Sequence, residues 1–317
     1  MKKGKYFIQR DQCPVCQSVD LTLKYECEYT KPPLFNYLLE FYGTVGGVIE
    51  FSYLEDACFS LVQCNLCDLI FQKYVPNNEL AFRLYEKWID PSVVFNQHLI
   101  NDDLDTFCGY AQEISTFIDY FNVSPRKLDF LDYGMGWGKW ALMAKAFGCN
   151  SFGFELSNAR RDYASLNALT VVNWKDIPKR KFDLINTEQV FEHLSDPLET
   201  ILHLKSGLKE GGILKISVPN ASNIQQRLRH MDWQAKKGTR LSLNPVAPLE
   251  HINCFQRKSL EKMGERVGMR EVQIPIAMQY SHATNWRTLK RFLENIGAPI
   301  YRNFLKKHNY VLLRIAE

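Results

Sequence analysis

The chain has 317 residues, enough for one large domain or two modest ones and for a sizeable buried core. At 46% hydrophobic and 23% charged residues it has the composition of an ordinary globular protein, without internal repeats or low-complexity tracts. A formal net charge of +4 does not by itself argue for nucleic-acid binding. No run reaches the ~18 apolar residues needed to span a bilayer, and the basic start Met1-Lys2-Lys3-Gly4-Lys5 is not followed by an apolar signal core. The expected setting is a reducing cytoplasm, in which the nine cysteines serve as thiols or metal ligands rather than disulfides.

Six of those nine cysteines, Cys13, Cys16, Cys27, Cys58, Cys64 and Cys67, fall within the first 67 residues. This density marks a first module, residues 1–80, whose character changes near Val75-Pro76. Cys13-Pro14-Val15-Cys16 and Cys64-Asn65-Leu66-Cys67 are two C-x-x-C knuckles. Four thiolates satisfy tetrahedral zinc and leave no open position, so the expected role is structural, in a small zinc-ribbon-like module. The 47 residues between the knuckles exceed the spacing of a compact finger. A redox pair is the alternative for either knuckle alone; two matched knuckles are better explained by one metal. Cys27 and Cys58 read as small core residues.

A helical connector is expected over residues 81–125. Phe107, Tyr110, Ile114, Phe117, Ile118 and Phe121 recur at spacings of three and four, which gives one apolar face. Ser124-Pro125 ends it. From 126 to 317 strands alternate with helices. Leu128–Leu131, Ser151–Phe154, Thr170–Val172, Phe182–Ile185 and Ile213–Val218 read as strands one to five. The helix before the fifth has Asp196 as N-cap, Pro197 at its first position and Glu199 three residues after the cap, with Gly211-Gly212 expected to end it. Such alternation implies right-handed crossovers and an α/β, doubly wound, mostly parallel sheet covered on both faces.

Directly after the first strand comes Asp132-Tyr133-Gly134-Met135-Gly136-Trp137-Gly138. Glycines let a backbone turn tightly and approach a ligand closely, and ligands of such sheets bind outside the carboxyl ends of the strands. The spacing is not that of a dinucleotide fingerprint, and Gly138-Lys139 is followed by Trp140, so it is not a phosphate-binding Walker loop either. Glu155, at the end of the second strand, is placed to accept both hydroxyls of a ribose.

Over roughly Asp129 to Ile315 the sequence resembles the class I S-adenosylmethionine-dependent methyltransferases, which have a Rossmann-like core. The Asp132–Gly138 stretch looks like their first motif, which holds the methionine part of the cofactor. The resemblance implies cofactor contacts from Asp132, Tyr133, Gly134, Met135, Gly136 and Gly138. Glu155 with Leu156 matches the ribose-binding position, and Asp176 with Ile177 the pair that meets adenine. Thr187 and Gln189, at the end of the fourth strand, complete the implied set. Phe191-Glu192-His193-Leu194 resembles the family's E-H motif. Leu208-Lys209-Glu210-Gly211-Gly212 through Val218-Pro219-Asn220 resembles its L-K-P-G-G…S-V-P-N element, with Glu210 in place of proline. The N-terminal module resembles the zinc-binding segment of some sugar C-methyltransferases, which carry a further C-terminal domain for which this chain is too short.

Two histidines are candidates for chemistry. His193 follows the fourth strand, and His251 lies in Pro248-Leu249-Glu250-His251, an element that closes the loop after the fifth strand in related enzymes. His251, paired with Glu250, is the preferred base, with an imidazole expected to titrate near neutrality. The alternative is that either histidine merely holds a loop. Residues 221–250 are expected to form a lid, with Arg227, Arg229, Lys236, Lys237 and Arg240 set against Asp232, and with Trp233 available to stack on a substrate. A basic helical insertion is expected over 281–308; Tyr280 to Glu317 carries seven Lys/Arg against two acids. It is suited to phosphate on an activated sugar, or to a solvated face. The expected reaction is methyl transfer to an O, N or C nucleophile of a small-molecule or carbohydrate acceptor. RNA modification and a non-catalytic cofactor-binding scaffold are the alternatives; nucleic acid is the less favoured partner. The glycine spacing disfavours a nicotinamide dehydrogenase.

Overall fold

The computed structural model describes residues 3–100, 103–284, 286–305 and 310–316. In chain order its strands are β1 (Phe7–Gln9), β2 (Leu21–Glu28), β3 (Cys58–Cys64), β4 (Ile70–Gln72), β5 (Tyr74–Pro76), β6 (Asp129–Tyr133) and β7 (Asn150–Phe154). They continue with β8 (Thr170–Val171), β9 (Phe182–Glu188), β10 (Leu208–Ser217), β11 (Asn253–Cys254), β12 (Met269–Glu271) and β13 (Tyr310–Ile315). The chain divides into two compact units. One comprises Met1–Asn101, Glu192–Pro197 and Pro219–Lys262; the other comprises Asp102–Phe191, Leu198–Val218 and Met263–Glu317.

The first unit is built on an antiparallel sheet in the order β11-β4-β3-β2, with β1 and β5 forming a separate antiparallel pair. β3 is buried along nearly its whole length, and its Phe59 and Leu61 join Tyr29, Leu38, Tyr42 and Trp88 in one core. The segment expected as a lid contributes Ile224, Leu228, Trp233, Leu243, Val246 and Leu249 to that core. Trp233 is therefore not a substrate platform. It is 7% exposed and packs on Tyr37 and Phe59, with ring centroids 5.1 and 5.7 Å away. A buried aromatic of this size contributes more by leaving water than by waiting for a ligand. Arg10 ties the sheet together: its guanidinium donates to the carbonyls of Gln72 and Ile252 and to Asn253 Oδ1, at 2.7–3.0 Å.

The second unit holds a seven-stranded sheet in the order β12-β13-β10-β9-β6-β7-β8. β10, β9, β6, β7 and β8 run parallel, so the five expected core strands form the expected doubly wound sheet. The order reverses between β6 and β9, as the carboxyl-end ligand rule requires. β13 and β12 add an antiparallel edge. Of the expected connector, 81–125, the part up to Asn101 belongs to the first unit, and the connector helix proper is Leu104–Phe121, capped by Asp103 and stopped by Asn122 in a left-handed conformation. Ile114 and Phe117 are buried, and Tyr110, Ile118 and Phe121 pack against the same core. One boundary differs from expectation. The helix Pro197–Ser206 stops before Gly207, and Gly211-Gly212 lie within β10, in an irregularity of its register with β9. The basic insertion includes the helix Leu289–Ile300, where Arg291 pairs with Asp105 and Glu294. Residues 285 and 306–308 of the expected insertion lie outside the described residues.

Lys215 points from the middle of β10 into the unit, with its side chain 5% exposed, and pairs with Glu113 of the connector helix at 2.6 Å. Glu113 also accepts from Trp140 Nε1 at 2.8 Å. Burial opposes the Lys215 charge, but Glu113 and Glu188 outweigh it and hold the ammonium above its ordinary range. Removing one partner of such a pair strands the other. Glu113→Gln is expected to destabilise the protein by about 3 kcal/mol or more. The double change Glu113→Gln/Lys215→Met should recover most of the loss. Urea unfolding of the three proteins measures both effects.

Candidate active site

The turn after β6 is shaped by backbone geometry. Gly134 and Gly138 have φ of +75° and +78°, and a Cβ on Gly134 would lie 2.5 Å from Val190 Cγ2. Only glycine meets both demands at low cost. The amides of Gly134 and Met135 both donate to the carbonyl of Phe154, at 2.9 and 3.0 Å, which ties this turn to the end of β7. Gly138 then starts the helix Lys139–Ala146. Glu155 follows β7. Its Oε2 accepts from the Gly136 amide at 3.0 Å, and its Oε1 accepts from the amides of Leu156 and Ser157 at 2.8 and 3.0 Å.

The other residues of the expected cofactor set occupy varied environments. Asp132 is buried, accepts from Asn186 Nδ2 at 2.8 Å, and is pushed up to about 7 by its burial. Tyr133 stacks on Phe154 with ring centroids 4.8 Å apart. Leu156 is 82% exposed. Asp176 ends a short turn after β8; Asn173 and Lys179, within 3.4 Å, hold its carboxyl below the usual range. Ile177 is fully buried, so its backbone is what it can offer a ligand. Thr187 donates its hydroxyl to the Lys215 carbonyl at 3.0 Å, and Gln189, at φ 55°, donates its amide to the Ser217 carbonyl.

A family model for a methyltransferase domain matches residues 104–274. The chain belongs to that family. It is an S-adenosylmethionine-dependent methyltransferase. No curated protein matches the chain by sequence. Among solved structures it is similar to the plantazolicin methyltransferase BpumL in complex with SAH, at 16% identity and a TM-score of 0.46, over 74% of this chain and 94% of that one. It is also similar to the plantazolicin methyltransferase BamL, at 13% identity and a TM-score of 0.48, over 74% and 92%. Similarity to Streptomyces venezuelae DesVI extends over 41% of this chain and 58% of that one, at 22% identity and a TM-score of 0.32. Among the described residues no helix is long and apolar enough to cross a membrane.

Within the first unit the two knuckles meet. Cys13 Sγ lies 3.5 Å from Cys67 Sγ and Cys16 Sγ 3.4 Å from Cys64 Sγ. All four are buried, and their sulfurs lie within 4.8 Å of one another. A zinc ion bound tetrahedrally at about 2.3 Å from each sulfur sets them about 3.8 Å apart, so the cluster fits a closed structural zinc. The neighbouring Cys67 sulfur holds the Cys13 thiol below its ordinary range.

The same unit gathers Glu192, His193, Glu250 and His251. Glu192 and His193 sit in the turn Phe191–His193. His193 Nδ1 lies 2.9 Å from the Glu250 carbonyl and 3.3 Å from the Tyr85 hydroxyl. His251 Nδ1 bonds the Asn244 carbonyl. The two imidazole centroids are 4.9 Å apart. Desolvation lowers His193 to about 4 and His251 to about 3, so both are neutral at neutral pH. Burial pushes the Glu250 carboxyl up to about 7, with the Tyr42 hydroxyl acting the other way. The group placed near neutrality is thus Glu250 and not, as the sequence led us to expect, His251. Glu192, the acid of the E-H motif, is fully buried. Its proximity to His251 is a long-range fact that no local pattern carries.

Two outcomes follow. Metal analysis of untagged protein should find one zinc per chain; Cys64→Ser should lose it and lower stability, because the knuckles close only on folding. Calorimetry should show S-adenosylhomocysteine binding that weakens by ~1–3 kcal/mol in Glu155→Ala, the usual cost of unmade hydrogen bonds to a charged group.

Proposed function

We propose that the protein transfers the methyl group to an oxygen, nitrogen or carbon nucleophile of a small-molecule or carbohydrate acceptor, and that Glu192, His193, Glu250 and His251 receive that acceptor. One observation carries this reading: a carboxyl group and two neutral imidazoles converge on segments that follow the fourth and fifth core strands. The cofactor residues, by contrast, belong to the loops after β6, β7 and β8.

When bound, the cofactor supplies an electrophilic methyl carbon on a sulfonium. This chain's residues would hold the acceptor's nucleophilic atom for that transfer, which would release S-adenosylhomocysteine. Positive charge leaves sulfur, so the protein contributes mainly alignment. Asp132 and the glycine turn serve the methionine part, Glu155 the ribose hydroxyls, and Asp176 with the Ile177 backbone the adenine. His193 and His251 are too weakly basic to store a proton at neutral pH, so their role is to orient the acceptor. The Cys13, Cys16, Cys64 and Cys67 zinc supports the first unit and takes no part in the transfer.

Incubation with S-adenosylmethionine labelled on its methyl group, together with a host extract separated into small-molecule, RNA and protein fractions, tests this reading. Label is expected in the small-molecule fraction. Label confined to RNA, or tight cofactor binding with no label anywhere, would overturn it. With an acceptor identified, His251→Ala should lower kcat by ~10²-fold, the cost of slight misplacement, while leaving S-adenosylhomocysteine affinity unchanged.

A further inference from the structure

We infer that Glu192, His193 and His251 form a divalent-cation site, distinct from the four-cysteine cluster, that holds the acceptor through its oxygen atoms. The inference rests on the acceptor role proposed above and deepens it.

The ligand atoms of these three residues lie within 4.8 Å of one another. Glu192 Oε1 is 3.8 Å from His193 Nε2. The hydrogen-bond partners fix the tautomers. A backbone carbonyl can only accept, so His193 Nδ1, on the Glu250 carbonyl, and His251 Nδ1, on the Asn244 carbonyl, must each carry the hydrogen. Both Nε2 atoms then keep a lone pair. A metal-bound histidine typically donates its other ring nitrogen in this way, which leaves Nε2 of each ring as the ligating atom. The carboxyl group is fully buried, whereas the His193 side chain is 29% exposed. The cluster is therefore anchored at its base and open on one side.

One carboxylate and two imidazoles make a donor set for a divalent first-row ion such as manganese, iron or zinc, with positions left for a ligand. The cysteine cluster differs on each count, since its four soft donors fill a tetrahedral shell. An acceptor hydroxyl bound at the open position would lose its proton to water more readily, because the ion stabilises the oxygen anion. No oxidant or reductant is involved. The chemistry favours acceptors with a hydroxyl, carboxylate or vicinal-diol oxygen.

The test is a titration of the full-length, zinc-loaded protein with manganese(II), with the free ion followed by its paramagnetic resonance signal. Manganese is a poor competitor for a four-thiolate site, so the cysteine cluster stays silent. One ion bound per chain is expected, with affinity falling roughly 10-fold or more in Glu192→Gln and in His251→Asn, on the scale of losses seen for metal-site changes. S-adenosylhomocysteine affinity and the thermal midpoint, measured on the same samples, report whether each variant is folded. Absence of manganese binding by the wild-type protein overturns the inference. So does wild-type manganese affinity in both variants when they are folded. If S-adenosylhomocysteine binds while manganese does not, the cation site is wrong and the methyl-transfer reading stands. If neither binds, both fall.

Discussion

The side chain of Glu155 holds the loops after β6 and β7 in a single arrangement. Three amides converge on it, from Gly136 on the turn after β6 and from Leu156 and Ser157 after β7. Hydrogen bonds to a charged group are worth roughly 1.5–3 kcal/mol each, enough to fix two loops that would otherwise be free at the sheet edge. The Gly134 and Met135 amides on the Phe154 carbonyl reinforce the same join. The left-handed glycines make the turn feasible, and the parallel register of β6 with β7 brings the two loops side by side. A preorganised site of this kind suits a reaction in which alignment is the main contribution of the protein.

The core of the second unit was legible because its signals are local. Short apolar runs, each followed by a turn and a helix, identify β6 to β10, and the glycines after β6 mark the ligand end of the sheet. The errors arose where distant residues decide. Gly211-Gly212 read as a helix stop, but pairing with β9 draws Leu208 onward into β10 and absorbs the glycines as an irregularity. β12 and β13 pair across some forty residues, and no turn signal announces them. Trp233 looked available because its neighbours in sequence are basic; Tyr25, Tyr37 and Phe59, which bury it, lie far away along the chain. Likewise β11 joins β4 from about 180 residues downstream, so the membership of 219–262 in the first unit could not be read from composition.

The candidate site shows the same division. Residue types and order gave the Asp132–Gly138 turn, Glu155, Asp176 and the four cysteines, because each depends on spacing within one short motif. Protonation is a property of burial, which the sequence does not display. His251 was expected near neutrality, and desolvation takes it to about 3 while raising Glu250 to about 7. The first unit thereby presents two clusters of opposite character. Soft, buried, fully committed thiols suit structure, and a half-open pair of neutral imidazoles beside a buried carboxyl suits a ligand.

The central claim is that the loops after β6, β7 and β8 hold S-adenosylmethionine. Hydrogen exchange followed residue by residue, with and without saturating S-adenosylhomocysteine, tests it most directly. The account predicts slower exchange over 133–138, 155–157 and 176–177, with nicotinamide dinucleotide producing no such change. Unchanged exchange in those three segments, with protection elsewhere or with protection by the dinucleotide instead, would contradict it.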